Sequence, residues 1–382
     1  MKNQLEEALN YSLQIIAKNS ETLAYFPERC EDGAWVTSDK DRIPSHWVDG
    51  FWTGLLWLAA AHTQDAKMEA TARKWTTELA WLKETTLTHD LGFIFYLSNV
   101  IGYRITGDES LLPDALVAAE TFTQRYNPKG EFMQAWGRID GPPHERGRIN
   151  VDLMMNMPFF LWASGQTGEM KYGRFATRHA RTTRHVLMRP DGSISQVADF
   201  DPDTGVFLRQ ETFQGLSHDT CWSRGLGWAL YGFAEIYRWT GDEVFLYTAR
   251  NIAKYTIANA PEDKVPFWDY DSLDIPNTYR DTSAASVIAA GLLELEAGET
   301  DAELAKQWRA EAEAITLSLW ENYSTRETAV PAILLQGARS VPHNWMDHPL
   351  IYGDYYFVET LVRLLRPDLE RTMFSRQVLQ VG

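Results

Sequence analysis

Residues 48–62 read VDGFWTGLLWLAAAH, a polar turn with an acid followed by a run that is apolar on every side. A helix apolar on one face lies at a surface, and a helix apolar all round is buried. The same form returns five times. It appears as HDLGFIFYLSNVIGYRI from His89, NVDLMMNMPFFLWAS from Asn150, SRGLGWALYGFAEIYRW from Ser223, RDTSAASVIAAGLLELE from Arg280 and YGDYYFVETLVRLL from Tyr352. The residues that head these segments are Asp49, Asp90, Asp152, Arg224, Asp281 and Asp354, with separations of 41, 62, 72, 57 and 73 residues.

Between them lie segments with a charged face, such as DAKMEATARKWTTELAWLKE, ESLLPDALVAAETFTQRY and DAELAKQWRAEAEAITLSLW. The N-terminal stretch carries Leu5, Leu9, Leu13 and Ile16 on one helical stripe. Turns of one type, Thr106-Gly107-Asp108, Thr167-Gly168-Glu169 and Thr240-Gly241-Asp242, follow several apolar segments. There a glycine can end one helix and the acid can favour the next. Six buried and six one-faced helices in alternation predict an all-α, closed double ring, an (α/α)6 barrel, forming one catalytic domain over residues 1–382. An open helical solenoid is the competing architecture, but its repeats are shorter and more uniform. The irregular insertions before the inner helices gather at one mouth, where loops on a rigid scaffold carry chemistry.

The formal net charge of −16 argues against nucleic acid or an anionic membrane as partner, because both need a basic footprint. No run approaches the ~18 apolar residues of a spanning helix, and the N-terminal stretch has no apolar h-region. The expectation is a cytoplasmic protein, monomer or homodimer, with no membrane partner. Cys30 and Cys221 sit in no CxxC or Cys/His cluster. P-loop, GxGxxG, HExxH and GxSxG signatures are missing from the sequence. Neither a metal nor a cofactor is therefore expected. The 15 Trp, 16 Tyr and 17 Phe serve either a helical core or stacking platforms for sugar rings.

Asp90 and Asp152 head consecutive inner helices, so their carboxylates can approach. Two close carboxylates in an aromatic setting cannot both ionise easily, and one is held protonated. That supplies a general acid at neutral pH for a sugar oxygen or an electron-rich double bond. Asp281 and Asp354 read as helix caps, and Asp49 fits either role. His89 is the one histidine beside a candidate acid. Trp47, Trp136, Gln214, Trp222 and Trp228 fall in the same insertions or helix starts. Arg224 stands where the helix dipole disfavours a cation, which suggests an anionic ligand.

The strings HWVDGFWTGLLWLA, HDLGF, QAWG, GRINVDLMMNMPFFLWA, WSRGLGWALYGFA, YRDTSAAS and YGDYYFVETLVRL resemble the unsaturated glucuronyl hydrolases, glycoside hydrolase family 88, over about residues 40–365. The resemblance implies an (α/α)6 barrel acting on oligosaccharides made by polysaccharide lyases, which end in a 4-deoxy-4,5-unsaturated uronic acid. It implies hydration of the C4=C5 vinyl ether, without metal or cofactor. Asp152 then matches the acid/base and Asp90 the assisting carboxylate. Trp47, His89, Trp136, Trp222 and Trp228 match groups lining the site. Gln214 and Arg224 match polar groups around the unsaturated sugar, with Arg224 the candidate partner for its carboxylate. The unsaturated rhamnogalacturonyl hydrolases are the nearest cousins.

Departures fall where the sugar binds. Phe213 stands where some members have a histidine, and Gln-Val-Ala-Asp follows Ser195 where a histidine often lies. The stretch from Leu334 to Leu350, with His343, Trp345 and His348, lacks the small-residue pattern of sulfate-tolerant members. The parent polysaccharide thus stays open between a glycosaminoglycan and an algal uronan such as ulvan. Three other readings compete: an inverting glycosidase using Asp90 and Asp152 across a water, a non-catalytic sugar-binding protein, and a sugar epimerase, which would need paired histidines at the mouth.

Overall fold

The structure, a computed structural model, describes residues 1–380. Leu5, Leu9 and Ile16 form the buried stripe of α1 (Lys2–Thr22), a helix on the outside of the fold. A β-hairpin, β1 (Pro27–Glu31) and β2 (Ala34–Thr37), leads to α2 (Asp49–Thr63), which is buried from Asp49 to Ala61. The outer helix α3 (Ala66–Thr77) starts at Asp65, whose carboxylate accepts from the Lys67 N–H. The second inner helix runs as α4 (Leu91–Phe95), a π-helical turn (Tyr96–Val100) and α5 (Ile101–Thr106).

Next come the outer helix α6 (Leu112–Phe122), the short pair β3 (Tyr126–Asn127) and β4 (Phe132–Met133), and α7 (Pro143–Arg146). The strand β5 (Arg148–Asn150) enters a 3-10 turn (Val151–Met155) and the inner helix α8 (Met157–Thr167). After the outer helix α9 (Met170–Leu187), β6 (Val197–Phe200) and β7 (Phe207–Glu211) join β5 in an antiparallel sheet of order β5-β6-β7. The last pairs are α10 (Ser223–Thr240) with α11 (Glu243–Ala258), and α12 (Thr282–Gly298) with α13 (Ala302–Tyr323). The inner α14 (Ile351–Leu365) and the short α15 (Pro367–Met373) complete the chain.

The inner helices pack in the order α2, α4, α8, α10, α12, α14, and α14 packs back on α2. That closure separates a barrel from an open solenoid. Outer helices cover the ring, with α1 lying against α14, α2 and α13. The repeated turns behave as read. Gly107, Gly168 and Gly241 take φ of +70°, +77° and +68° at the ends of α5, α8 and α10, a conformation that costs glycine little. Asp108 and Asp242 then accept from the N–H groups of Ser110 and Val244.

All six inner helices begin at one mouth, and the three small sheets lie in the insertions that lead there. Among the described residues, no helix is long and apolar enough to cross a membrane, and no cluster of three or more His, Cys, Asp or Glu could hold a metal ion. Both cysteines are buried free thiols.

Candidate active site

A cleft of about 390 Å³ opens at the mouth, and Asp90 and Asp152 both line it. Asp90 is the last residue before α4 and is 8% exposed. Its backbone N–H donates to Thr88 Oγ1 at 3.1 Å. Its Oδ1 accepts from Asn156 Nδ2 at 3.2 Å, and Asn156 Oδ1 accepts from the Phe93 N–H at 3.0 Å. Gly92 makes this clamp possible, because a Cβ there would lie 2.6 Å from Asn156 Oδ1.

Asp152 projects from the 3-10 turn after β5. Asn150 fixes that turn by accepting from the Leu153 N–H at 3.3 Å. The Oδ2 atom of Asp152 is buried and has no hydrogen-bond partner among the described residues. Such atoms are rare in native proteins and mark places where chemistry or a ligand completes the site.

Burial raises both acids. Asp90 is pushed up to about 7 by burial and then by the charge of Asp152, against Asn156 and Arg125. Asp152 rises to about 6 by burial, opposed by Arg224 and by the indole N–H of Trp228. Neither Trp228 Nε1 nor Asp152 Oδ2 closes a hydrogen bond of normal geometry, so the indole acts as a nearby dipole. The sequence placed the proton on Asp152, with Asp90 as the charge that keeps it there. The charge of Asp152 raises Asp90, while Arg224 and Trp228 favour the ionised form of Asp152. The pair still titrates as a unit, holding one proton near neutral pH.

His89 lines the same wall and is buried. Its Nδ1 accepts from the Trp136 N–H at 3.2 Å. Nε2 faces the Asn150 side-chain amide at 3.2 Å and Asp90 Oδ2 at 3.6 Å. Burial, and then the charge of Arg125, hold its pKa well below the ordinary value, so the ring is neutral. Trp47 and Trp136 line the cleft as expected. Trp47 packs on Tyr352 with ring centroids 5.2 Å apart.

Gln214 also lines the cleft, held on both sides. Its Oε1 accepts from Gln196 Nε2 and its Nε2 donates to the Arg339 carbonyl, both at 2.7 Å. Gln196 stands in the Gln-Val-Ala-Asp segment read as a departure. Its Oε1 accepts from Thr212 Oγ1 and from the N–H groups of Phe213 and Gln214. The departure therefore builds a latch on the 212–214 loop.

Three expectations change. Arg224 borders the cleft, but it is committed to the protein. Its Nη1 donates to Asp281 Oδ2 at 2.6 Å and to the Ala338 carbonyl at 2.7 Å, and its Nη2 donates to the Arg339 carbonyl at 2.6 Å. Buried Asp281 accounts for a cation at this helix start. Trp222 and Trp228 are buried and lie outside the cleft lining. Trp222 stacks under the Arg224 guanidinium at 4.6 Å, and Trp228 packs on Phe93 and Tyr356.

The other marker acids are structural. Asp281 caps α12 by accepting from the Ser283 and Ala284 N–H groups. Asp354 accepts from the N–H groups of Ile333 and Leu334, so it holds a loop rather than its own helix end. Asp49 is buried against His46 Nδ1 at 2.7 Å, and burial raises it to about 6.

Two arginines of the site were not singled out from sequence. Arg42 is exposed at the cleft and has no ion pair among the described residues. Arg339 lines the cleft but is paired with Glu28. Phe213 is 51% exposed and Trp345 is 37% exposed, and both line the mouth. His343 stacks between them, with centroids 4.3 Å from Phe213 and 5.8 Å from Trp345. These three are among the residues read from sequence as departures where the sugar binds.

Two raised carboxylates without an arginine partner, facing a sugar-sized cleft walled by aromatic rings, define a glycoside hydrolase type of site. Residues 20–335 match the family described as Glycosyl Hydrolase Family 88, and the chain belongs to that family. The unsaturated glucuronyl hydrolase of Bacillus sp. (strain GL1) is 34% identical over 369 residues, 94% of this chain and 97% of that protein. The unsaturated chondroitin disaccharide hydrolase of Streptococcus agalactiae serotype III (strain NEM316) is 32% identical, over 96% of this chain and 92% of that one. The crystal structure of the Bacillus sp. GL1 unsaturated glucuronyl hydrolase, responsible for the degradation of glycosaminoglycan, superposes with a TM-score of 0.89 at 34% identity, covering 96% of this chain and 97% of that chain.

Proposed function

We propose that this protein removes a 4-deoxy-4,5-unsaturated uronic acid from the non-reducing end of lyase-generated oligosaccharides by hydrating its C4=C5 bond. The observation that carries this reading is the unpartnered, buried Oδ2 of Asp152 in a cleft shared with Asp90. The protonated carboxyl of Asp152 donates its proton to C4. The conjugate carboxylate then takes a proton from water, whose oxygen adds to C5. The hemiketal so formed opens, and the bond to the leaving sugar breaks. Asp90 carries the counterbalancing charge of the pair, and neutral His89 lies beside it. General acid–base groups of this kind contribute about 10²–10⁴-fold to rate.

Arg42 is the cation left at the cleft for an anionic substrate, since Arg224 and Arg339 are neutralised by Asp281 and Glu28. Phe213 and Trp345 offer an apolar wall, suited to the C–H face of the leaving sugar. The reading also takes the chain as one catalytic domain, monomer or homodimer.

The test is a panel of lyase digests of chondroitin, hyaluronan, heparin, gellan, xanthan and ulvan, followed by ultraviolet absorbance of the unsaturated uronate. At least one digest should lose absorbance, and the best one names the parent polysaccharide. Equal turnover of saturated glycosides would instead establish an inverting glycosidase. Tight binding of the sugar without turnover would establish a binding protein.

A further inference from the structure

Arg125 closes a 3-10 turn after α6, at the end of the charged-face segment 109–126. It is 2% exposed and has no ion pair among the described residues. Its donors go instead to five backbone carbonyls. Nε donates to Thr88 at 3.0 Å, Nη1 to Gln134 at 3.2 Å and Trp136 at 3.1 Å, and Nη2 to Thr86 at 3.1 Å and Gly137 at 2.7 Å. Five N–H donors are the whole capacity of a guanidinium.

The carbonyls belong to two loops. Residues 86–88 lead directly into His89 and Asp90, and residues 134–137 carry Trp136. The loops are tied again where the Trp136 N–H meets His89 Nδ1. Trp136 has φ of +32°, a conformation that a bulky side chain adopts only when its surroundings impose it.

We propose that Arg125 is a positioning residue that locks both loops of the cleft and supplies the cationic field on Asp90. The proposal rests on the reading of Asp90 as the assisting carboxylate. The groups facing Asp90 are Asp152 from the turn before α8, His89 beside it, Asn156 and Arg125. His89 is neutral, so Arg125 is the cation that opposes Asp152 at this carboxylate. Burial lowers the pKa of Arg125 to about 10, which leaves it charged at neutral pH. A lysine would keep the charge but has three donors and no planar fork.

Arg125→Gln and Arg125→Lys separate the two roles. The readouts are turnover of an unsaturated disaccharide against pH, melting temperature, and a ¹³C titration of the Asp90 carboxyl, assigned by its loss in Asp90→Asn. In Arg125→Gln the Asp90 titration should move to higher pH, and kcat should fall on the order of 10²-fold with a smaller change in KM, the scale of a displaced catalytic group. In Arg125→Lys the titration should stay near that of the wild type while kcat still falls. An unmoved Asp90 titration in the glutamine variant, or wild-type kcat in the lysine variant, overturns the proposal. Should the glutamine variant fail to fold, kcat of the lysine variant decides alone. A wild type inactive on every unsaturated substrate would sink the proposed function, while the Asp90 titration would still judge the cationic role of Arg125.

Discussion

Toward the C-terminal ends of the inner helices, Arg363 donates to Glu294 at 2.8 Å, Arg238 lies 2.8 Å from the same carboxylate, and Arg376 from the C-terminal segment reaches Glu235 at 2.7 Å. At the opposite end, Asp90 and Asp152 share a cleft in which, among the described residues, no arginine forms an ion pair with either. Both ends bury carboxylates. Against the upward push of burial, Arg238, Arg376 and Arg363 hold Glu294 down at about 2, whereas burial lifts Asp90 to about 7. The cavity at the closed end, near Glu235, Glu359 and Arg376, is about 20 Å³, room for no more than a water. A buried acid with its cation is a fastening, and a buried acid without one is a proton store. Glu359 shows the rule is graded. Burial raises it to about 7, opposed first by Arg363, which it shares with Glu294, and then by the Tyr231 hydroxyl.

The contrast can be broken at either end. The largest effect is expected for Asp152→Asn, which should lower turnover on the order of 10³-fold or more with the fold intact, read by ultraviolet decay and circular dichroism. Arg363→Met should do the reverse. It leaves Glu294 short of a buried partner and should cost about 3–5 kcal/mol in urea unfolding, with unchanged kcat per folded molecule.

A smaller effect sharpens the link between pKa and stability. The folded pKa of Asp90 is raised above its unfolded value of about 3.9, so the folded state binds the proton more tightly. Its contribution to stability is full below about pH 4 and is lost as pH rises through about 7. Asp90→Asn cannot ionise and should therefore gain on the wild type as pH rises from 5 to 8, on the order of 2 kcal/mol, while losing activity. Unfolding curves at both pH values check it, and a constant difference would deny that Asp90 is strained in the folded state. The smallest effect belongs to the rim. Phe213→Ala and Trp345→Ala should each raise KM by roughly 2–10-fold with little change in kcat, measured on substrates of increasing length.

Much of the frame was readable because helical burial writes itself into local sequence. The run at residues 48–62 is apolar on all sides because α2 has neighbours on all sides. The Thr-Gly-Asp turns are local devices and need no distant partner. Asp90 and Asp152 were found because each sits at a helix start that the pattern marks. The partners of Arg224 were not legible, for the opposite reason. Its partner Asp281 lies 57 residues away, and the carbonyls of Ala338 and Arg339 lie 114 and 115 residues away. Trp222 and Trp228 lie one layer behind the cleft wall, Trp222 under Arg224 and Trp228 beside Asp152.

By itself, the sequence determined the alternation of buried and half-buried helices, the positions where they start, and the two acids that head neighbouring inner helices. These follow from periodicity, capping and backbone conformation, which act over a few residues. Only the tertiary structure decided which acids receive a cation, which arginine remains free at the cleft, and that Arg125 spends all its donors on two loops. Those outcomes depend on groups brought together by ring closure across tens to hundreds of residues. In a buried site the charge state of each acid follows from that company rather than from the residue type.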